Sequence, residues 1–251
     1  MNVFRPAETG DIPALRQLWK DAFADDDIYL DVFFQTAFSP RRCRVLTRGG
    51  RVCGAAYWLD CSFREEKIAY VYAVAIAPSL QGLGLGTALM DNIHQQLLQD
   101  GYRSALLVPG NEGLRQYYRR FGYRTVSWHK EFTVSAGKPV AMEKIDPQHY
   151  CRLRRQYLPG NGIVQENENL ALLEQLADLF RGEDFLCAVA KAESVCLELL
   201  GDPAAAAGIT AALHLDRCRF RVPCTDIPFA MGMDLKEPFL PEKLYFGFAF
   251  D

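Results

Sequence analysis

The chain has 251 residues, 49% hydrophobic and 24% charged, an ordinary globular balance with enough apolar side chains for a sizeable core. Its 28 Lys and Arg against 31 Asp and Glu leave a formal net charge of −3, with no basic run or stripe, which excludes the electrostatic footprint of a nucleic-acid binder. The opening MNVFRPAETGD lacks the order of a secretory signal and no apolar stretch nears the roughly 20 residues that cross a bilayer, so the sequence predicts a soluble cytoplasmic protein without a membrane partner.

Asp11 precedes Ile12, Leu15, Leu18, Trp19, Ala22 and Phe23, the spacing of a helix buried on one face, with Pro13 tolerated in its first turn. An acidic, aromatic stretch from Asp25 to Phe38 follows. CRVLTR, Gly49-Gly50 and RVCGAAYWLD then read as two strands joined by a tight turn. A long β run, KIAYVYAVAIA, ends at Pro78. Next come the glycine-rich SLQGLGLG and a helical pattern through Leu89, Ile93 and Leu97 that stops at Gly101. SALLV predicts a further strand, and EGLRQYYRR a helix ending before Gly122. The eight cysteines lie in apolar or alternating runs without C-x-x-C or histidine clusters, which predicts buried thiols and no metal site.

The loop QGLGLG, between a strand and a helix, fits neither phosphate motif by spelling. No Lys follows it as in G-x-x-x-x-G-K-[ST], and a G-x-G-x-x-G frame begun at Gly82 and Gly84 puts Thr87 at the third glycine. The physics shared by those motifs remains. Glycines let backbone approach an anion, and free N–H groups at a helix N-terminus favour negative charge, so a pyrophosphate suits the site. A glycine-rich turn with no ligand is the alternative for the loop taken alone.

The run Val74-Ala75-Ile76-Ala77-Pro78-Ser79-Leu80-Gln81-Gly82-Leu83-Gly84-Leu85-Gly86 resembles the central motif of the GNAT superfamily of N-acetyltransferases. Asn111 and Tyr118-Arg119-Arg120-Phe121-Gly122-Tyr123 resemble the second motif of that family, in the right order. The resemblance covers roughly Asn2 to Thr133. It implies an α+β GNAT fold, a mixed, mostly antiparallel sheet flanked by helices, with acetyl-CoA as co-substrate and an amine, small molecule or peptide, as acceptor. It further implies pyrophosphate contacts at Gln81, Gly82, Leu83, Gly84, Leu85, Gly86 and Thr87, and pairing of the pantetheine arm with backbone of Val74 and Ile76. Asn111 and Arg120 complete the expected coenzyme contacts. Tyr118 matches the general-acid tyrosine of the family, since a phenol of pKa about 10 can protonate a departing thiolate of pKa about 8.5; a core aromatic beside Tyr117 and Phe121 is its plain reading.

The attacking amine must be neutral, yet the strand before the loop holds no carboxylate. Glu65, Glu66 and an ordered water are candidates for the base, and a solvated hairpin tip is the plain reading of the two glutamates. Asp25, Asp26, Asp27 and Asp31 among Tyr29, Phe33, Phe34 and Phe38 predict a wall that favours a cationic amine.

From Gly137 onward the glycine motif does not recur but a similar order of elements does. DPQHYCRLRRQYL and NLALLEQLADLF predict helices, and FLCAVAKAESVCLELL a hairpin like the one at CRVLTRGGRVCGAAYWL. Aligning Val52-Cys53 with Val195-Cys196 predicts that the long central strand and glycine loop are missing from the second half. The expected organisation is a coenzyme-binding GNAT domain at 1–136 and a degenerate GNAT-like unit at 137–251 that completes the acceptor cleft. The expected activity is acetyl transfer by direct attack in a ternary complex; the alternative is a non-catalytic acyl-CoA sensor or interaction module. Nothing in the sequence indicates an oligomeric state.

Overall fold

The computed structural model describes residues 1–250. The chain divides into two compact units: Met1–Leu107 with Asp234–Phe239, and Val108–Met233 with the chain from Leu240 onward. No helix among the described residues is long and apolar enough to cross a membrane. The expected division at 136/137 differs from these units for a physical reason. Strand β7 (Trp128–Ser135) is hydrogen-bonded along its length to β13 (Arg217–Pro223), so it belongs to the sheet of the second unit.

In the first unit β1 (Asn2–Pro6), β2 (Cys43–Arg48), β3 (Arg51–Phe63) and β4 (Glu66–Ile76) pair antiparallel in that order, and β5 (Ser104–Leu107) pairs parallel to β4. The parallel pair is connected through α3 (Leu85–Gln99), whose Leu89, Met90, Ile93 and Leu97 are buried. Period-two alternation gives the sheet two faces. Tyr57 and Tyr72 meet Trp19 of α1 (Ile12–Phe23) and Phe33 of α2 (Asp27–Thr36), ring centroids 5.1 to 5.8 Å apart. Trp58 and Asp60 turn to the opposite face, under α3. The α2 helix lies within the stretch read only as acidic and aromatic; Asp26 caps it by accepting the Tyr29 N–H at 2.8 Å. The segment Asp234–Phe239 returns to this unit: Ser104 Oγ donates to Asp234 at 2.7 Å and Phe239 packs on Phe63.

The second unit begins with α4 (Glu112–Arg119) and β6 (Arg124–Thr125), which pairs with β15 (Met231–Asp234). Its main sheet runs β14 (Ile227–Pro228), β7, β13, β12 (Val195–Gly201), β11 (Phe185–Ala190), β10 (Ala177–Arg181), β8 (Glu143–Lys144). Helix α7 (Ala206–Ala212) covers one face, over Cys187, Cys196, Leu199, Phe220 and Val222. The remaining elements are α5 (Pro147–Tyr157), β9 (Val164–Gln165) and α6 (Glu168–Leu176). ADLF at 177–180, read as the end of a helix, belongs to β10, whose backbone pairs antiparallel with β11.

The two sheets share a sequence of steps. In the first, β2, β3 and β4 are antiparallel neighbours, then α3 leads to β5 parallel to β4. In the second, β10, β11 and β12 are antiparallel neighbours, then α7 leads to β13 parallel to β12. Strand β12 therefore takes the place of β4, not of β3, which corrects the alignment of Val195-Cys196 on Val52-Cys53. The central strand is present in the second unit. What differs is the connection after it, where Gly201 is followed by Asp202-Pro203-Ala204-Ala205 and Asp202 accepts the Ala204 N–H at 2.9 Å. Both connections open on a proline-led turn, Pro78–Leu80 and Pro203–Ala205, but in the second unit α7 begins directly at Ala206 with no glycine segment between.

One feature of β7 makes stability depend on acid. His129 is 5% exposed, its Nδ1 has no partner among the described residues, and its Nε2 lies 3.4 Å from Glu131. Burial, and then the nearby Arg221, lower its pKa from 6.5 to about 4. Between those values the unfolded chain binds a proton that the folded chain does not, so stability falls as pH drops from 6.5 towards 4. His94 in α3 shifts the same way, also to about 4, through burial. His129→Gln is expected to remove its share of the loss, of order 2 kcal/mol, while the share of His94 persists. Urea unfolding at pH 7 and pH 4.5 checks this, and an unchanged difference between the two would contradict it.

Candidate coenzyme-binding site

The site grows from the end of β4. Pairing with β5 covers only Ile68–Tyr70, so β4 runs on from Val71 to Ile76 beyond the register of its parallel neighbour. The register with β3 shifts between Ala55 and Tyr57, and on the β4 side Ala73 has φ +49°, a left-handed conformation that an L residue with a Cβ adopts at a cost of about 1–3 kcal/mol. A bulge of this kind re-aims backbone groups. The Ala77 N–H donates to Cys53 O of β3 at 2.9 Å, so by alternation the N–H groups of Val74 and Ile76 point away from β3.

Beyond Pro78 the chain makes a short turn in which the Gln81 N–H bonds Pro78 O and the Gln81 side chain donates to Ile76 O at 3.2 Å. Gln81 is thus tied back to the strand, and its backbone N–H is already engaged. Gly82 and Gly84 have φ +77° and +75°, and the position of a Cβ on either meets open space. Gly84 is the N-cap of α3, and the first bond of the helix ladder is Ala88 N–H to Gly84 O at 3.1 Å. The N–H groups of Gly84, Leu85, Gly86 and Thr87 therefore precede the ladder, as the first donors of any helix do. Gln81 to Gly84 are exposed, Leu83 points outward, and Leu85 is buried and anchors the turn. No acidic side chain occupies the first turn of α3. Open glycines, uncommitted N–H groups and the positive end of a helix suit a pyrophosphate, so the residues present fit the coenzyme.

The remaining expected contacts lie in the second unit. Asn111 is the N-cap of α4 and spends its Oδ1 on the Leu114 N–H at 2.9 Å, a structural task. Arg120 ends the same helix, its guanidinium 4.9 Å from the centre of the Tyr117 ring. The Tyr118 ring is buried between Tyr117 and Tyr123, and its hydroxyl has no hydrogen-bond partner among the described residues. Burial raises its pKa above the ordinary 10. The phenol therefore keeps its proton throughout the neutral range.

The candidate carboxylates fare differently. Arg64 and Glu65 have φ +50° and +65°, the geometry of a tight β3–β4 turn, and Glu65 and Glu66 are exposed there. They form the solvated tip. In the acidic stretch Asp25 accepts from Trp19 Nε1 at 2.7 Å, Asp26 caps α2, Asp27 pairs with Lys20 and Arg16, and Asp31 pairs with Arg16 at 2.8 Å. Those carboxylates tie α1 to α2, while the rings of Tyr29, Phe33, Phe34 and Phe38 extend one aromatic cluster with Trp19 and Tyr57. The pair Tyr29 OH and Tyr72 OH, hydrogen-bonded across α2 and β4, and the bulge at Ala73 escaped the sequence reading. Neither has a local signature, because both depend on partners at least 16 residues away, Tyr57 being the nearer.

Residues 3–126 match the family described as the acetyltransferase (GNAT) domain. The chain carries a GNAT acetyltransferase domain. Among solved structures, a GCN5-related N-acetyltransferase from Kribbella flavida is similar with a TM-score of 0.71 at 14% identity, over 92% of this chain and 70% of that one. One from Anabaena variabilis ATCC 29413 gives 0.71 at 15% identity, over 94% and 73%, and Eis1 from Mycobacterium abscessus gives 0.69 at 13%, over 94% and 74%. These likenesses establish a mixed α+β GNAT fold with two sheets flanked by helices. No curated protein matches the sequence.

Proposed function

We propose that the chain is an acetyl-CoA-dependent N-acetyltransferase that passes the acetyl group directly to an amine in a ternary complex. The observation that carries this is the combination of a bulged strand edge at Val74–Ile76 with the open glycine turn at the N-terminus of α3, inside a GNAT domain. Acetyl-CoA supplies an activated acetyl group as a thioester that an amine can attack. The N–H groups of Gly82 to Thr87 hold the pyrophosphate, and the outward N–H groups of Val74 and Ile76 bind the pantetheine arm as an added strand. Gln81 shapes the turn through its side chain.

Tyr118 is the proton donor in this reading, supported by its uncommitted hydroxyl, which burial keeps protonated at neutral pH while making it a weaker acid than an ordinary phenol. A phenol above pKa 10 yields its proton to a departing thiolate only as that charge develops, which suits a donor held ready near neutral pH. The acceptor is an amine met by the aromatic cluster of α1, α2, Tyr57 and Tyr72. Cation–π and apolar contact remain available at the partly exposed Tyr29, Phe34 and Phe38, whereas the paired aspartates exert a weaker field than four free carboxylates would.

Release of coenzyme A thiol from acetyl-CoA on adding an amine panel tests the activity. Amine-dependent release is expected; binding of acetyl-CoA without release for any amine would support a sensor instead. In the same assay Tyr118→Phe is expected to lower turnover about 10- to 100-fold with unchanged acetyl-CoA affinity, since it deletes a proton and little else. Wild-type turnover in that variant would return Tyr118 to a packing role.

A further inference from the structure

Within the first unit, at the far end of α3 from the glycine turn, the α3 face of the sheet holds a cavity of about 690 Å³. Fifteen residues of helix separate the two places, about 22 Å at 1.5 Å per residue. The cavity is lined from several elements by Arg41, Arg42, Arg44, Lys67, Trp58 and Tyr102, together with Asp60 and Asp100. Four cations face two carboxylates, and both carboxylates are engaged. Asp60 accepts from the Tyr102 hydroxyl and lies 3.5 Å from the Arg42 guanidinium, while the Trp58 indole N–H bonds Tyr102 at 3.0 Å. Asp100 accepts from Gln96 at 2.9 Å.

Arg44 is the least compensated of the cations. Its Nε donates to the neutral amide of Asn92 at 3.0 Å, and no carboxylate lies within ion-pair distance of it among the described residues. Burial lowers its pKa below the ordinary arginine value, with Asp100 opposing that only through space. Arg41 is exposed at the rim, and Lys67 is held 4.1 Å from the centre of the Tyr102 ring. A guanidinium half sunk beside two further cations, with room for a ligand in front, is a setting in which an anion recovers lost solvation.

We infer that this cavity is a binding site for a small anion with two or more negative oxygens, a carboxylate or a phosphate, held by Arg44 with Arg41 and Lys67. The Trp58–Tyr102–Asp60–Arg42 chain forms its rigid floor. The site is separate from the coenzyme turn and does not depend on the proposed activity.

The test is titration of the full chain with malonate and with inorganic phosphate at constant ionic strength, read by calorimetry and by thermal unfolding. Saturable binding of at least one anion is expected, weakened about tenfold or more in Arg44→Gln and in the rim variant Arg41→Gln, the loss expected for one charge-assisted hydrogen bond. Arg48→Gln, at the other end of β2, is expected to bind as the wild type does. Response to malonate alone identifies an organic carboxylate as the ligand class, and response to phosphate alone a phosphate. No saturable binding, or equal affinity in the wild type and both cavity variants, would overturn the assignment. Because Arg41 is exposed and makes no buried contact, its variant keeps the test valid should Arg44→Gln unfold.

Discussion

Gly84→Val is expected to weaken coenzyme A binding by at least tenfold while leaving the fold of the first unit intact. Gly84 sits at φ +75° with nothing within 4 Å of a Cβ, so the side chain meets no protein atom. It acts in two other ways. A β-branched residue resists the left-handed conformation by about 1–2 kcal/mol, which favours reshaping of the turn, and its methyl groups stand over the N–H groups that open α3. Calorimetric titration with coenzyme A reads the change, and circular dichroism confirms folding. Unchanged affinity in a folded variant would remove the glycine turn from the binding account.

The largest stability effect is expected at Glu198. It is fully buried on β12 and accepts from Arg154 Nε and Nη2 at 2.8 and 2.9 Å, from Tyr150 at 2.8 Å and from Tyr245 at 3.0 Å. Arg154 also donates to Gln165, whose amide in turn donates to Phe248 O at 2.7 Å. The network joins α5, β9, β12 and the segment after Leu244. Gly247 passes so close that a Cβ would lie 2.3 Å from the Arg154 guanidinium. Burial lowers the pKa of Arg154 and the opposite charge of Glu198 raises it by more; a guanidinium is too basic to give up its proton, so removing Glu198 strands a buried cation. Glu198→Ala is therefore expected to cost about 3–5 kcal/mol, and the double change Arg154→Met with Glu198→Leu distinctly less, because an unpaired buried charge is the main penalty. Urea unfolding of the three proteins decides this. A double variant as unstable as Glu198→Ala would mean that packing, not the stranded charge, sets the cost.

Much of the first unit was legible because its signals are local. Asp11 and Pro13 announce α1, Pro78 ends β4, Gly101 follows α3, and the spacing of Gln81 to Gly86 marks the turn before a helix. Asn111 was legible as a residue but not in its role, since capping of α4 and contact with a coenzyme ask for the same side chain at the same place. The bulge at Ala73 was not legible, because it exists only through the register with Ala55 and Tyr57. The same cause misplaced the second unit. Val195-Cys196 resembles Val52-Cys53 in composition, yet strand identity is set by partners, and Val195 and Cys196 lie parallel to Arg219 and Phe220. The charges of Asp25 to Asp31 were read correctly as a cluster, but their pairing with Arg16 and Lys20 follows from the packing of α2 on α1.

The central claim is a single coenzyme site built on the glycine turn of the first unit, with no counterpart after β12, where α7 follows the Pro203–Ala205 turn without a glycine segment. Isothermal titration of the full chain with coenzyme A tests it most directly. One site per chain, lost or weakened at least tenfold by Gly84→Val, is the expected result; two equivalent sites per chain, or no saturable binding at all, would contradict it.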